Sequence, residues 1–426
     1  MELRTKSKMF CGCSADHFSQ KPNIHVCPVC LGLPGSLPVP NQKAIEWCLL
    51  AGLALNCQVP LFAKFDRKNY FYPDLPKGYQ ISQYDQPFCQ KGWLKIGERK
   101  IGITRVHLEE DTAKMIHRDG STLIDFNRSG VALMEVVSEP EIHSPEEAKI
   151  YLKKLQQIIR YLGISDADME KGSMRCEANI SLKKLPDRGY PCQGLPLYKV
   201  EIKNLNSFRF MERALAYEIE RQRKVLLAGE KLVQETRGWD EKKGRTLSQR
   251  LKETAADYRY FPEPDIPPIK IKNLKFKIKN LPELPDKKIK RFIKDYCLSE
   301  YQAEILTASR EKADYFEEAV KIAAKYQLAV EKIANVIINQ KINLQRYLPT
   351  ELVQLLVKKK TTMVNDAPQI KKWIDEIIKN YSQPVLDYQR GKEAALEFLI
   401  GQVQRLAQGR ADAVLTRQVL VESLKV

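Results

Sequence analysis

Four cysteines stand in two close pairs, Cys11-Gly-Cys13 and Cys27-Pro-Val-Cys30, with thirteen residues between the pairs. Thiolates so spaced can close a tetrahedron around Zn²⁺. Four thiolates leave no open coordination position, so the predicted metal is structural rather than catalytic. The other cysteines, at 48, 57, 89, 176, 192 and 297, show no such pairing and are expected to be buried apolar residues.

A second group of candidates is carboxylate. Acids sit inside apolar, strand-like runs at His107-Leu-Glu109-Glu110-Asp111, Leu133-Met-Glu135-Val-Val137, Arg175-Cys-Glu177-Ala-Asn-Ile180 and Lys199-Val-Glu201-Ile-Lys203. An isolated carboxylate in such a setting is costly unless it is paired or bound to a metal. If several converge from neighbouring strands, they make an oxygen-ligand Mg²⁺ site of the kind that clamps nucleotide phosphates. The bland alternative is a set of separate acids on solvated strand faces, where period-two alternation puts a polar residue at every second position. In Lys64-Phe-Asp-Arg-Lys-Asn-Tyr-Phe-Tyr-Pro-Asp74, basic residues interleave with aromatics, which suits a nucleic-acid groove or a turn with a solvated basic edge. Lys270 to Lys294 holds ten Lys or Arg against two acids, Glu283 and Asp286, giving either phosphate contacts or a solvated helix face. There is no Gly-x-x-x-x-Gly-Lys loop, no Gly-x-Gly-x-x-Gly fingerprint and no serine-hydrolase or amidase signature, so any nucleotide site is of another type.

The elements that must position these groups divide in texture. Residues 1 to about 268 carry short β-like runs punctuated by Pro and Gly. Two helices interrupt them. One begins at Ser144-Pro145-Glu146-Glu147, a good N-cap sequence, and ends at Gly163. The other runs from about Phe208 to Leu227, before Gly229. Their apolar stripes are expected to be core. The proline-rich stretch Phe261 to Pro268 cannot be helical and marks a boundary. Beyond about 280, the segments 287–297, 299–326, 328–340, 350–359, 366–380 and 390–425 read as helices, with Pro384 breaking the chain between two of them. The expected fold class is α+β: a β-rich catalytic domain with a zinc-stapled segment over 1–268, then an all-helical tail of two bundles, 280–349 and 350–426.

The 426-residue chain is 43% hydrophobic and 29% charged, enough apolar material for a core, which rules out a wholly disordered chain. A net charge of +17 favours an acidic partner, most often nucleic acid. The densest apolar run, Trp47 to Leu55, is too short to span a bilayer, and the N-terminal residues carry no secretory signal. A cytoplasmic location without membrane association is expected, with cysteines as thiols or metal ligands.

Several long motifs together resemble one family. Lys64 to Asp74, Tyr79-Gln-Ile-Ser-Gln-Tyr-Asp85, Ile101-Gly-Ile-Thr-Arg-Val-His-Leu-Glu-Glu-Asp111, Val137-Ser-Glu-Pro140, Glu201-Ile-Lys-Asn-Leu-Asn-Ser-Phe208 and Asp257-Tyr-Arg-Tyr-Phe-Pro-Glu-Pro264 are similar to B subunits of the aspartyl/glutamyl-tRNA amidotransferases. The likeness extends into the tail at Gly391-Lys392 and Gly401-Gln-Val403. It implies a ligase that uses ATP and Mg²⁺ to phosphorylate the side-chain carboxylate of Glu or Asp misattached to tRNA(Gln) or tRNA(Asn). Ammonia released from glutamine by the amidase, or A, subunit then displaces the phosphate, and a small C subunit tethers the two. It further implies a cradle-like kinase domain, a tail that binds the misacylated tRNA, and a zinc site at the cysteine pairs in many members. By resemblance, the metal and phosphate-site acids are Glu109 or Glu110, Glu135, Glu177 (Asp in many members) and Glu201. Phosphoryl transfer needs positioning and charge neutralisation more than proton chemistry, so Arg175, Lys203 and Lys64 are the candidate clamps, with Glu110, Glu135, Arg175 and Lys203 expected to act most directly in catalysis. The family's strand Gly-Leu-Glu-(Ile/Val)-His-Val, whose Glu and His help bind metal, falls before Met1, which stands where that motif has its Val. The expectation is a gene start placed too late. Its alternative is a truncated protein with a damaged site, a non-catalytic zinc-stabilised tRNA-binding scaffold. An autonomous amidase is disfavoured, because the sequence offers no activated nucleophile.

Overall fold

The computed structural model describes residues 1–183, 196, 198–251, 258–272, 281–339, 343, 346–361 and 366–424. These form two compact units, Met1–Lys288 and Ile289–Val426. Cys192, residues 273–280 of the basic run and Asp257 of the Tyr-Arg-Tyr-Phe motif lie outside the described residues.

The first unit is a mixed α+β body. Helix α1 (Gln42–Ala54) starts where the Asn41 side chain accepts the N–H groups of Lys43 and Ala44. Strands β1 (Phe62–Ala63), β2 (Asp66–Asn69), β3 (Tyr79–Ser82), β4 (Cys89–Ile96), β5 (Arg99–Glu110), β6 (Lys114–Arg118), β7 (Ser121–Asp125) and β8 (Ala132–Ser138) follow. The Ser144 start holds as read: in α2 (Pro145–Leu162) the Ser144 hydroxyl accepts the Glu147 N–H, and Gly163, at φ 67°, ends the helix in the left-handed conformation glycine favours. Next come β9 (Cys176–Ile180), β10 (Val200–Leu205), α3 (Phe208–Leu227), β11 (Glu235–Asp240), β12 (Arg245–Leu251), β13 (Phe261–Pro262) and β14 (Ile269–Lys270). The strands pair as β4-β5-β8, β13-β2-β3, β12-β11-β10-β9, β6-β7 and β1-β14; β10 and β11 run parallel.

One irregularity decides which side chains share a face. In the β5–β8 pairing, Ile103 faces Ser138 and Arg105 faces Val137, a bulge that shifts the register by one. Before it the odd residues Ile101 and Ile103 are buried in the core; after it the even residues Val106 and Leu108 are. A bulge re-aims side chains in this way. Beyond it Arg105, His107 and Glu109 therefore project together from the opposite, polar face, and Glu135 stands directly across from His107.

The second unit is helical: α4 (Pro285–Tyr296), α5 (Glu300–Leu306), α6 (Arg310–Ala323), α7 (Val330–Asn339), α8 (Pro349–Thr361), α9 (Ala367–Asn380), α10 (Ser382–Gln389), α11 (Glu393–Leu406) and α12 (Ala413–Leu424), of which α4 begins in the first unit. The segment read as one helix over 299–326 divides at Ser309, whose hydroxyl accepts the Lys312 N–H and caps α6. Likewise 390–425 divides into α11 and α12. Pro384 does not break the chain. It sits in the first turn of α10, where a missing N–H costs nothing; the break falls at Tyr381. Two apolar cores form here. Phe292, Phe316 and Ile333 centre the first, which also takes Leu352, Val353 and Leu356 from α8. The second begins at Ile370, with Leu399 and Leu420, rather than near 350. Lys287, Lys290 and Lys294 lie on the exposed side of α4, opposite the buried Phe292. Among the described residues no helix is long and apolar enough to cross a membrane.

Candidate functional site

The polar face of the β4-β5-β8 sheet gathers a carboxylate–imidazole cluster. His107 Nε2 lies 3.2 Å from Glu109 Oε1 and 3.2 Å from Glu135 Oε2. These three side chains can each direct one donor atom to a common point. Glu109 is buried and accepts hydrogen bonds from the Ser82 hydroxyl at 2.6 Å and the Gln80 amide at 3.2 Å. Desolvation would raise its pKa, but the charges of Lys68 and His107 and the hydrogen bonds outweigh that and hold it well below the usual carboxylate range. His107 moves the other way. Burial disfavours its charged form, yet the two carboxylates raise its pKa. The side chain of Glu135 is half open, and despite desolvation the His107 hydrogen bond keeps it ionised below the ordinary value.

Lys68 overlooks this cluster from β2, its Nζ 5.1 Å from the Tyr258 ring and 5.9 Å from that of Tyr70. Desolvation opposes its charge, but Glu109, tyrosines 260 and 70 and Glu135 together raise its pKa. Tyr260 stacks on Tyr84, with centroids 4.4 Å apart and planes at 15°. Two donors here are left over: Arg105 Nε and His107 Nδ1 are buried without a hydrogen-bond partner. A second acidic group lies on β9 and β10, where Lys203 Nζ is 3.1 Å from Glu177 Oε1 and 3.8 Å from Glu201 Oε1, and Glu201 accepts from the Thr236 hydroxyl at 2.9 Å. Desolvation and the like charge of Glu201 raise the Glu177 pKa against the pull of Lys203.

Other residues named from the sequence go elsewhere. Glu110 leaves β5 on the other side, pairing with Lys77 and accepting the Ile81 N–H at 2.9 Å. Arg175 is engaged by carboxylates: it is paired with Asp111 through both oxygens and lies 3.3 Å from Glu2. Lys64 pairs with Asp66 and, at 2.6 Å, with Asp85. Lys68 and Arg105 carry no local signal in the sequence that marks them as clamps. Lys68 stood within a noted basic–aromatic run, but nothing local separates it from Lys64, and Arg105 faces the site because of the bulge.

The four cysteine sulfurs at 11, 13, 27 and 30 lie within 4.8 Å of one another. The 3.9 Å between Cys27 and Cys30 matches the roughly 3.8 Å edge of a tetrahedron with about 2.3 Å metal–sulfur bonds. The donor set therefore fits Zn²⁺. The hydrogen bond from Cys11, with help from the Cys27 backbone and Lys8, holds the Cys30 thiol low, while Cys11 is pushed high. The segment is docked on the loop leading into β8: Asn23 N–H donates to Asp125, His25 N–H to Asn127, and the Ser129 hydroxyl to Cys30 O. Of the unpaired cysteines, 48, 57, 89 and 176 are buried as expected, whereas Cys297 is exposed, because it follows α4 at a left-handed turn (φ 53°) rather than lying on its core side.

A mixed α+β unit carrying the carboxylate–imidazole cluster is thus followed in the chain by an all-helical unit. The sequence model of the GatB/GatE catalytic domain matches residues 1–277, and that of the GatB domain matches 285–424. The aspartyl/glutamyl-tRNA(Asn/Gln) amidotransferase B subunit of Thermomicrobium roseum is 46% identical over 100% of this chain and 96% of its own length. Those of Roseiflexus castenholzii (44%, 99% and 97%) and Carboxydothermus hydrogenoformans (43%, 100% and 97%) are comparably similar. The chain belongs to this family of tRNA-dependent amidotransferase B subunits, ligase components that form carbon–nitrogen bonds with glutamine as the nitrogen donor.

Proposed function

We propose that this chain phosphorylates the side-chain carboxylate of Glu or Asp misattached to tRNA(Gln) or tRNA(Asn), using ATP, and presents the activated acyl group to ammonia. The observation that carries this reading is the convergence of Glu109, Glu135 and His107 beneath Lys68. Phosphoryl transfer is governed by positioning and charge neutralisation, which a cluster of acids beside basic groups supplies. Glu109 and Glu135 are the residues that would hold Mg²⁺, with His107 between them and Glu177 and Glu201 as further carboxylates. The metal would neutralise charge on the transferred phosphoryl group. Lys68 and the unpartnered Arg105 Nε are donors for phosphate oxygens, and Lys203 is a second clamp from β10. Arg175 and Glu110 act as positioning residues that hold strands in register. The first unit is read as a cradle-like kinase domain, stapled by Zn²⁺ on Cys11, Cys13, Cys27 and Cys30. The second is read as two helical bundles that bind tRNA. A cytoplasmic heterotrimer is completed by the amidase, or A, subunit, which releases ammonia, together with a small tethering C subunit.

The test is a reconstituted complex of this chain with its amidase and tethering partners. Misacylated Glu-tRNA(Gln) and Asp-tRNA(Asn) should each be assayed for ADP release and for conversion to the amide. Amide formation with stoichiometric ADP is expected for at least one. tRNA binding without ADP release would leave only a scaffold.

A further inference from the structure

Lys8 has no exposed surface. Its ammonium donates to Cys30 Sγ at 3.6 Å and to Phe126 O at 3.2 Å. Among the described residues no carboxylate lies within ion-pair distance of it. A buried ammonium without a contacting counter-charge is strongly unfavourable, and the potential anion that touches this one is the Cys30 sulfur, while the Glu110 carboxylate, near Gly130, lies beyond ion-pair distance. A tetrathiolate zinc centre carries two net negative charges, since four thiolates surround one dication. Each partner therefore lacks what the other supplies. Cys30 Sγ also accepts the Cys27 N–H at 3.2 Å, so one sulfur of the four takes two N–H donors.

We infer that Lys8 is the charge-compensating partner of the four-cysteine centre, a positioning residue that raises its affinity for Zn²⁺ and ties its occupancy to the loop before β8. The link to the loop is direct. The same ammonium holds Phe126 O, while the Met9 N–H donates to Gly130 O at 2.7 Å and the Gly130 N–H to Asp111 O at 2.9 Å. Metal loss would release the Cys30 sulfur that Lys8 holds, at the point where the same ammonium grips this loop. The inference rests on zinc occupying the cysteines.

The experiment uses the full chain carrying Lys8→Met, which keeps the apolar stem and removes the charge, and Lys8→Gln, which keeps an N–H donor. Zinc content of the wild type, by elemental analysis, tests the zinc reading by itself. Zinc transfer to a chromogenic chelator should then be about 10- to 100-fold easier from Lys8→Met, the range for partners of metal ligands, with Lys8→Gln between it and wild type. The melting temperature of the zinc-loaded variant should fall clearly, while that of the zinc-stripped variant should change less, because the two net negative charges that Lys8 offsets belong to the metal-bound centre. Zinc retention equal to wild type, or an equal fall in both melting temperatures, would overturn the inference.

Discussion

The carboxylate of Glu109 accepts the Ser82 hydroxyl at 2.6 Å, while that of its neighbour Glu110 turns to Lys77 and accepts the Ile81 N–H at 2.9 Å. Two adjacent acids thus leave β5 in opposite senses, as strand alternation requires. Which of them reaches the cluster with His107 and Glu135 is set by the bulge at Ile103–Arg105, a few residues earlier. Counted from the buried Ile101 and Ile103 without that bulge, the outward acid would be Glu110; with it, the outward acid is Glu109.

This relationship separates rate from stability. Glu109→Gln and Glu135→Gln should each lower tRNA-dependent ADP release about a hundredfold or more, since losing about 3 kcal/mol of transition-state stabilisation has that effect. Glu110→Gln should chiefly destabilise the first unit, because it strands Lys77 in a buried location; breaking such a pair costs about 3 kcal/mol or more. ADP release and urea unfolding on the same three variants give the comparison. If Glu110→Gln loses rate at full stability while Glu109→Gln keeps it, the two roles are exchanged.

Besides His107, Lys68 is a basic group that faces both Glu109 and Glu135. Lys68→Met should reduce ADP release by roughly tenfold to a hundredfold, on the scale of one lost charge-assisted contact of about 1.5–3 kcal/mol. Lys64→Met should do far less, because Lys64 is paired with Asp66 and Asp85. Steady-state kinetics with varied ATP decides between them, and equal losses would argue against Lys68 as the clamp.

A third expectation concerns the segment bearing Tyr258 and Tyr260. Arg67 Nε donates to Glu263 Oε2 at 2.7 Å and its terminal nitrogen to Oε1 at 2.8 Å, a forked pair whose carboxylate is fully buried. Glu263→Gln should cost about 3 kcal/mol, as for other broken buried pairs. The double change Arg67→Met with Glu263→Gln should cost less than the sum of the two singles. Chemical denaturation of the four forms checks this, and simple additivity would mean that the pair is not coupled.

Local chemistry was legible where one residue type decides the outcome. Ser144 and Gly163 bound α2 as read, because a cap is a local hydrogen bond. The cysteine pairs meet because spacing and ligand type suffice. What the sequence hid depends on distant partners. The bulge in β5 is visible only in its pairing with β8, so the face of Glu110 could not be read from alternation. Arg175 looks like a free clamp until Asp111 and Glu2 are brought to it across the fold. Helix breaks depart from the sequence pattern for a related reason. Pro384 is harmless in a first turn, and the division at Ser309 comes from a cap rather than from Pro or Gly.

The two cores of the second unit dictate where a tail truncation should be made. Cutting near residue 350 would remove Leu352, Val353 and Leu356 from the core around Phe292 and unfold more than the terminal helices. Ending the chain at Thr361 removes the core built on Ile370, Leu399 and Leu420 and leaves the other complete. The deleted part carries nine basic residues (Lys371, Lys372, Lys379, Arg390, Lys392, Arg405, Arg410, Arg417 and Lys425) against eight acids, so any contact with tRNA depends on where these bases lie rather than on net charge. If these meet tRNA phosphates, the truncated complex should bind misacylated tRNA at least about tenfold more weakly at moderate salt. Its affinity should also depend less steeply on salt, since each lost phosphate contact removes about 0.7–0.9 from the log–log slope. Glutamine hydrolysis by the amidase partner should persist, because that chemistry belongs to another chain. Binding isotherms at three salt concentrations, with glutaminase activity as the control for assembly, supply the measurement. An unchanged slope and affinity would show that the basic residues of the last helices serve solubility instead.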